Sequence, residues 1–199
     1  MPDGAPSPPA APFGARLLSI VGHPFVVPPG TALWAALRRG AGAAEIGTLV
    51  ALLIVTVAVM AAYALRRVRS GRWRHMDASE RAERRDLNRF SFAFLSLAAT
   101  LAFFVLQRPM FAIPLAVAAA MLLVCIAAGR RLKISHHVMF AVLPAGWLWP
   151  DGAALCVLAA LAAVVAWSRL RLGRHTAREV RGGALLGMAG AAVVAAALS

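Results

Sequence analysis

Long apolar runs are the feature that most limits how this chain can fold. A helix that crosses a bilayer needs about 20 mostly apolar residues. Five runs meet or approach that length, at residues 46–65, 90–107, 110–129, 152–167 and 182–198. The hydrophobic share of the chain is 61%, against about 45–50% in soluble domains. We therefore predict an integral membrane protein.

Two further segments complete the predicted fold. Residues 138–149 contain Pro144 and Gly146 and are short for a span, unless their helix begins near Ser135. Residues 25–37 are too short and proline-rich for an ordinary span, and we expect a re-entrant or interfacial helix or a short tilted span. The fold class is thus an all-α, polytopic membrane helix bundle of about six transmembrane helices plus this short N-terminal helix. Residues 1–20 are predicted to be a disordered tail, and residues 21–199 a single membrane-embedded domain.

The charge pattern bears on the partners of the protein. The formal net charge is +13, which in a soluble protein raises nucleic acid as a partner. Here the charge lies in short segments between apolar runs, without a basic amphipathic surface or an aromatic stacking platform. Anionic lipid headgroups explain it better, so we predict a bilayer and not a nucleic acid as the partner. Cys125 and Cys156 lie inside apolar runs and are expected to be buried thiols.

The chemistry of the chain is concentrated in the segment 168–179. Ser168 and Arg169 are followed after five residues by His175, and after three more by Glu179. In a helix, the spacing of His175 and Glu179 puts both side chains on one face. The carboxylate can then fix the imidazole tautomer, an arrangement that makes histidine a nucleophile or a base. Neighbouring arginines suit a planar oxyanion such as phosphate.

This segment resembles the third motif, Ser-Arg-x5-His-x3-Asp, of the type-2 phosphatidic acid phosphatase superfamily, which is related to the vanadium haloperoxidases. Ser168, Arg169 and His175 match it, and Glu179 stands where the family has Asp. The counterpart of the second motif, Pro-Ser-Gly-His, runs from residue 134 to residue 137. In it Ser135 and His137 match and His136 replaces glycine.

The first motif of that family, Lys-x6-Arg-Pro, has its best counterpart in residues 77–85. Arg84 matches its arginine, Asp77 replaces lysine, and Arg85 replaces proline. The loss of a cation at Asp77 is offset if Lys133 substitutes for it.

The resemblance implies a set of roles for these residues. His175 attacks phosphorus to give a phosphohistidine, Glu179 orients it, and His137 protonates the leaving group and later helps water to attack. We expect Arg84, Lys133 and Arg169 to neutralise the phosphate oxygens. Ser135, His136 and the backbone N–H groups that open the following helix would cradle the anion. We expect no metal and no cofactor, because the cluster offers cations rather than metal ligands.

The order of the predicted spans gives the topology. Counted from Arg66, the segments 68–89, 130–137 and 168–181 all emerge on one face of the membrane, and these segments hold the three motifs. That face carries 17 of the 21 basic residues. Because cytoplasmic flanks carry the Lys/Arg excess, we predict an inner-membrane protein of a bacterium whose site faces the cytoplasm.

Other interpretations stay open at this point. A non-catalytic relative that binds or transports lipid phosphates has the same helices and arginines. A haem-binding membrane cytochrome explains histidines near apolar helices, but it needs pairs facing each other within the spans. A structural or transport subunit is the third alternative, and the absence of charged residues inside the spans argues against an ion pathway. His23 precedes Pro24 and is interpreted as a helix-start residue, and His75 as a solvated loop residue.

Overall fold

The computed structural model describes residues 13–199 apart from 77, 79 and 130, and the described residues form helices and loops without a strand. The helices are α1 (Phe13–Val21), α2 (Val27–Arg38), α3 (Ala43–Arg69), α4 (Arg81–Phe104), α5 (Pro109–Ala128), α6 (His136–Val142), α7 (Ala145–Leu148), α8 (Gly152–Arg171) and α9 (Ala177–Leu198). Five of them, α3, α4, α5, α8 and α9, are long and apolar enough to cross a membrane. The predicted all-α membrane bundle is confirmed.

Local signals beyond hydropathy set the helix ends. Helix α4 begins at Arg81, before its apolar run, because Glu80 and Glu83 form a reciprocal capping box. Helix α8 begins after Asp151, whose Oδ1 accepts a hydrogen bond from the backbone N–H of Ala154 at 3.0 Å. The charged residues 81–89 are therefore helical as well, and they precede the span predicted at 90–107.

The predicted fourth span at residues 138–149 is not one helix. Helix α6 has seven residues and α7 has four, and Pro144 lies between them. Proline cannot donate a backbone hydrogen bond and its ring clashes with the preceding turn, so the helix is interrupted there. Five helices rather than about six are therefore long enough to span alone.

The N-terminal region differs in part from the prediction. Helix α1 occupies residues 13–21, so the disordered tail predicted for residues 1–20 is wrong for residues 13–20. Helix α1 packs against α8. Residues 1–12 lie outside the described residues. Helix α2, with 12 residues, is about 18 Å long and too short to span, as expected for the short N-terminal helix.

Close packing of α6 on α9 positions the motif residues. Gly183 and Gly187 lie one helical turn apart on α9. A Cβ atom at Gly183 would lie 2.6 Å from the carbonyl oxygen of Ser135, and one at Gly187 would lie 2.7 Å from that of Met139. Small residues of this kind let helix backbones approach closely in membrane bundles. Helices α6 and α9 therefore run side by side in the same direction.

The start of α6 consequently lies beside the start of α9 and the end of α8. Val138, Val165 and Val180, one from each of these helices, share a buried cluster. Leu148 and Leu158 meet at the opposite end of α8. We call the end of the bundle that holds Val138, Val165 and Val180 the arginine-rich end, because most of the arginines lie there.

Candidate functional site

A turn after α8 brings His175 back toward Arg169. Gly173 adopts a left-handed conformation with φ of 62°, which glycine accepts without steric cost. The backbone N–H of Gly173 donates to Leu170 and that of Arg174 donates to Arg169, at 3.0 and 3.1 Å. These bonds form a Schellman closure of α8. Arg169, in the last turn of α8, and His175, just past this turn, are both buried.

The contact between His175 and Glu179 depends on a helix cap. His175 Nδ1 lies 3.0 Å from Glu179 Oε2. The same carboxylate oxygen accepts a hydrogen bond from the backbone N–H of Thr176, whose Oγ1 accepts one from the N–H of Glu179. Thr176 is the N-cap of α9, so His175 precedes the helix. The two side chains are therefore paired, although His175 itself lies before the helix.

The tautomer and the protonation state of the His175 ring follow from this environment. Nδ1 donates to the Glu179 carboxylate, which leaves the lone pair on Nε2 in the neutral ring. Nε2 is buried and has no hydrogen-bond partner among the residues that the structure describes. Burial lowers the pKa of His175 to about 4, the hydrogen bond to Glu179 opposes that shift, and the charges of Arg84, Arg169 and Lys133 add to it. The ring is neutral at neutral pH.

The segment before α6 supplies three more buried polar residues. The backbone N–H of Ser135 donates to the carbonyl oxygen of Glu179 at 3.2 Å, which ties the start of α6 to the first turn of α9. Ser135, His136 and His137 are all buried. Ser135 Oγ, His136 Nε2 and His137 Nδ1 have no hydrogen-bond partner within the described part of the chain. Since unmet buried polar atoms are costly, these three atoms are available to hydrogen-bond a polar ligand or water.

Arg84 and Lys133 reach the same place from other elements. Arg84 is buried on α4, and its Nε donates to the carbonyl oxygen of Ala78 at 3.1 Å. Lys133 Nζ donates to the carbonyl oxygen of Arg174 at 3.3 Å. Burial lowers the pKa of Lys133, while the charge of Glu179 raises it and the charges of Arg84 and Arg169 lower it further. The structure thus brings together the residues predicted for phosphate binding. Asp77 lies outside the described residues.

Two residues beside this cluster were not predicted from the motifs. His23 lies in the turn before α2, and its ring also packs edge-on against His137, with centroids 5.0 Å apart. Asn88 is buried on α4, and its Oδ1 has no hydrogen-bond partner among the described residues. Asn88 lies four residues after Arg84, a spacing that puts both on one helix face and was a usable signal. His23 gave no such signal, because tertiary packing alone brings it near.

A cavity of about 420 Å³ adjoins the cluster. Arg84, His136 and His137 line its polar part, and apolar side chains, most of them from α3, α4 and α5, line the rest. It extends toward Leu49 and Phe111, which pack near α2 at the opposite end of the bundle. Helix α3, which forms one wall, is the least buried of the five long helices. A long apolar compartment therefore opens from a cationic, histidine-rich site.

In the described residues, no group of three or more His, Cys, Asp or Glu side chains is placed to hold a metal ion. The chain matches no protein-family model, no curated protein and no solved structure in the comparisons. The resemblance to the type-2 phosphatidic acid phosphatase superfamily therefore stays a prediction from the motifs.

Proposed function

We propose that the protein is a membrane lipid phosphatase that transfers the phosphoryl group of a lipid phosphate or diphosphate to His175 and then to water. The observation that carries the proposal is the His175 side chain. It is buried and neutral, its Nδ1 is bonded to Glu179, and its Nε2 has no hydrogen-bond partner among the described residues. A histidine nucleophile needs this state, because only the unprotonated nitrogen can attack phosphorus.

The first half of the reaction forms a phosphohistidine. The Nε2 lone pair of His175 bonds to phosphorus while the bond from phosphorus to the leaving oxygen breaks. That oxygen takes a proton from His137. Burial and the charge of Arg169 lower the pKa of His137, so its ring is protonated only while the negatively charged phosphate is bound and supplies the proton. Glu179 stabilises the positive charge that develops on His175. Arg84, Lys133 and Arg169 neutralise the phosphate oxygens, which is most of what catalysis of phosphoryl transfer requires.

The second half releases phosphate. Water attacks phosphorus and gives a proton to His137, and the bond from phosphorus to Nε2 breaks. The products are the dephosphorylated lipid and inorganic phosphate, and His175 and His137 return to their starting states. No redox partner is consumed, and we expect no metal or cofactor to take part.

The apolar cavity supports a lipid as the substrate. A water-soluble phosphate ester has no use for a compartment of about 420 Å³ lined mainly by apolar side chains of α3, α4 and α5. A lipid whose headgroup lies at Arg84 and His137 can place its tail there, and burial of apolar surface stabilises that placement. We infer that the arginine-rich end faces the cytoplasm of a bacterial cell, because of the arginine excess at that end.

One observation favours a second candidate, a non-catalytic protein that binds or transports lipid phosphates. His136 stands where the family motif has glycine, and its buried ring takes space beside Arg84. A side chain there restricts the close approach of backbone to phosphate that glycine permits. Such a protein binds lipid phosphates without releasing phosphate.

A panel of lipid phosphates and diphosphates, assayed for phosphate release in detergent with and without a chelator, separates these functions. We expect release that withstands the chelator and is inhibited by vanadate, which adopts the trigonal bipyramidal shape of the transition state. Binding without release would favour the non-catalytic candidate. Loss of activity in chelator, with recovery in magnesium, would contradict the proposed chemistry.

A further inference from the structure

His23 lies outside every motif, yet it contacts the proposed general acid. Its ring meets that of His137 nearly at a right angle, 88°, with centroids 5.0 Å apart. Edge-to-face contacts of this kind favour one relative orientation of the two rings. His23 also lines the apolar cavity together with His137. It therefore lies where the tail compartment meets the histidine cluster.

A backbone hydrogen bond favours one tautomer of the His23 ring. The backbone N–H of Phe25 donates to His23 Nδ1 at 3.2 Å. An acceptor at Nδ1 requires a lone pair there, so the proton of the neutral ring is on Nε2. A protonated His23 would lose this bond and would repel a protonated His137. The local backbone thus favours a ring that carries its proton on Nε2 beside His137.

A glycine allows this approach. Gly22 is buried, and a Cβ atom there would collide with the side chain of Val165 on α8 and lie 3.0 Å from the carbonyl oxygen of Leu18. Valine is stiff about its first side-chain torsion and cannot easily give way. The turn after α1 can therefore lie directly on α8, and this contact carries His23 to His137.

We propose that His23 is a positioning residue, which holds the ring of His137 so that its proton is directed at the leaving oxygen. The inference rests on the proposed function, since it needs a leaving group for His137 to protonate. The N-terminal segment that carries His23 then contributes to the site, although none of the motifs includes it.

Two substrates whose leaving groups differ in basicity distinguish the positioning of His137 from a general structural role of His23. A lipid alkoxide needs a proton to depart, whereas nitrophenolate departs without one. For His23→Ala we expect kcat on the lipid phosphate to fall about 10- to 100-fold with little change in KM, and kcat on p-nitrophenyl phosphate to stay within about twofold of the parent's. His23→Phe, which keeps an aromatic ring, should recover part of the loss. Equal losses on both substrates, or no loss on either, would overturn the proposal.

The exposed loop histidine His75 provides the matched control. His75→Ala should leave both activities unchanged. The double variant of His23 and His137 should lose no more than His137→Ala alone, because both changes remove the same proton transfer. Additive losses would mean that His23 acts elsewhere.

A measurement without turnover keeps this test independent of the proposed function. The chain has five histidines, few enough for each imidazole to be assigned by ¹⁵N NMR in detergent. His23→Ala should shift the ring nitrogens of His137 and leave those of His175 in place, and Gly22→Ala should shift the same nitrogens. Unchanged His137 resonances would overturn the positioning role even in an active enzyme. A chain that releases no phosphate but shows the shift would contradict the proposed function alone.

Discussion

His175 contacts Glu179 at the capping box that begins α9, and the two residues do not belong to one helix. Nδ1 of the imidazole is 3.0 Å from Oε2 of the carboxylate, which also caps the first turn of α9 through Thr176. One carboxylate therefore sets the start of the helix, the position of the ring and its tautomer.

Removal of the Glu179 charge should impair phosphate release without unfolding the protein. Glu179→Gln keeps an oxygen that can accept from His175 and Thr176 but no longer stabilises the cation formed during attack. We expect kcat to fall about 100-fold, measured as phosphate release from a lipid phosphate. Arg178→Gln, at an exposed neighbouring position, is the control and should behave like the parent. A Glu179→Gln variant as active as the control would remove the carboxylate from the mechanism.

The depressed pKa of His175 predicts a loss of stability in acid. The folded ring has a pKa of about 4, against 6.5 for an ordinary histidine, because it is buried. The unfolded chain therefore binds a proton that the folded chain does not between these values, so stability from this group is full above pH of about 6.5 and is lost as the pH falls toward about 4.

Thermal unfolding in detergent across that pH range measures this effect. His175→Asn should unfold with a shallower dependence on pH than the parent. Parallel curves for the two proteins would show that His175 does not titrate as its burial implies.

A larger residue at Gly187 should weaken the packing of α6 on α9. A Cβ atom there would lie 2.7 Å from the carbonyl oxygen of Met139 and 2.8 Å from Cβ of Val142, so one backbone must move. We expect Gly187→Ala to cost about 1–3 kcal/mol of stability, seen as a lower unfolding temperature in detergent. Gly152→Ala is the matched control, because a Cβ at Gly152 meets nothing within 4 Å. Equal stability of the two variants would contradict the close contact.

Hydropathy predicted much of the fold because it reports burial in lipid directly. Helices α3, α5 and α8 occupy the expected apolar runs to within a few residues. The start of α4 was missed because Glu80 and Glu83, polar residues, define it. The fourth span was predicted on the condition that its helix begins near Ser135. Helix α6 does begin there, but Pro144 divides the segment into two short helices.

The site was predictable where its residues are near in sequence or match a motif. The spacing of His175 and Glu179 and the order of the motif segments placed Arg84, Ser135 and His137 at one end of the bundle, where the structure has them. His23 was beyond reach, because its contact with His137 depends on how α1 and Gly22 pack against α8. Side-chain contacts between distant segments leave no periodic trace in a sequence.

Single-cysteine labelling tests which side of the membrane the site faces. After Cys125 and Cys156 are replaced, Ser70→Cys reports the arginine-rich end and Ala153→Cys the opposite end, both at exposed positions. In whole bacterial cells, we expect an impermeant maleimide to label position 153 and to reach position 70 only after lysis. The reverse pattern would place the site on the outer face.

The nucleophile can be identified directly. The parent protein is mixed with a lipid phosphate, quenched within its first turnover in alkali, in which phosphohistidine survives, and analysed by mass spectrometry of its peptides. We expect one phosphoryl group on His175, and the His175→Ala variant should carry none and should lose phosphate release by at least about 10⁴-fold. Phosphate release that continues in His175→Ala, or a phosphoryl group on another residue, would contradict the assignment of His175 as the nucleophile.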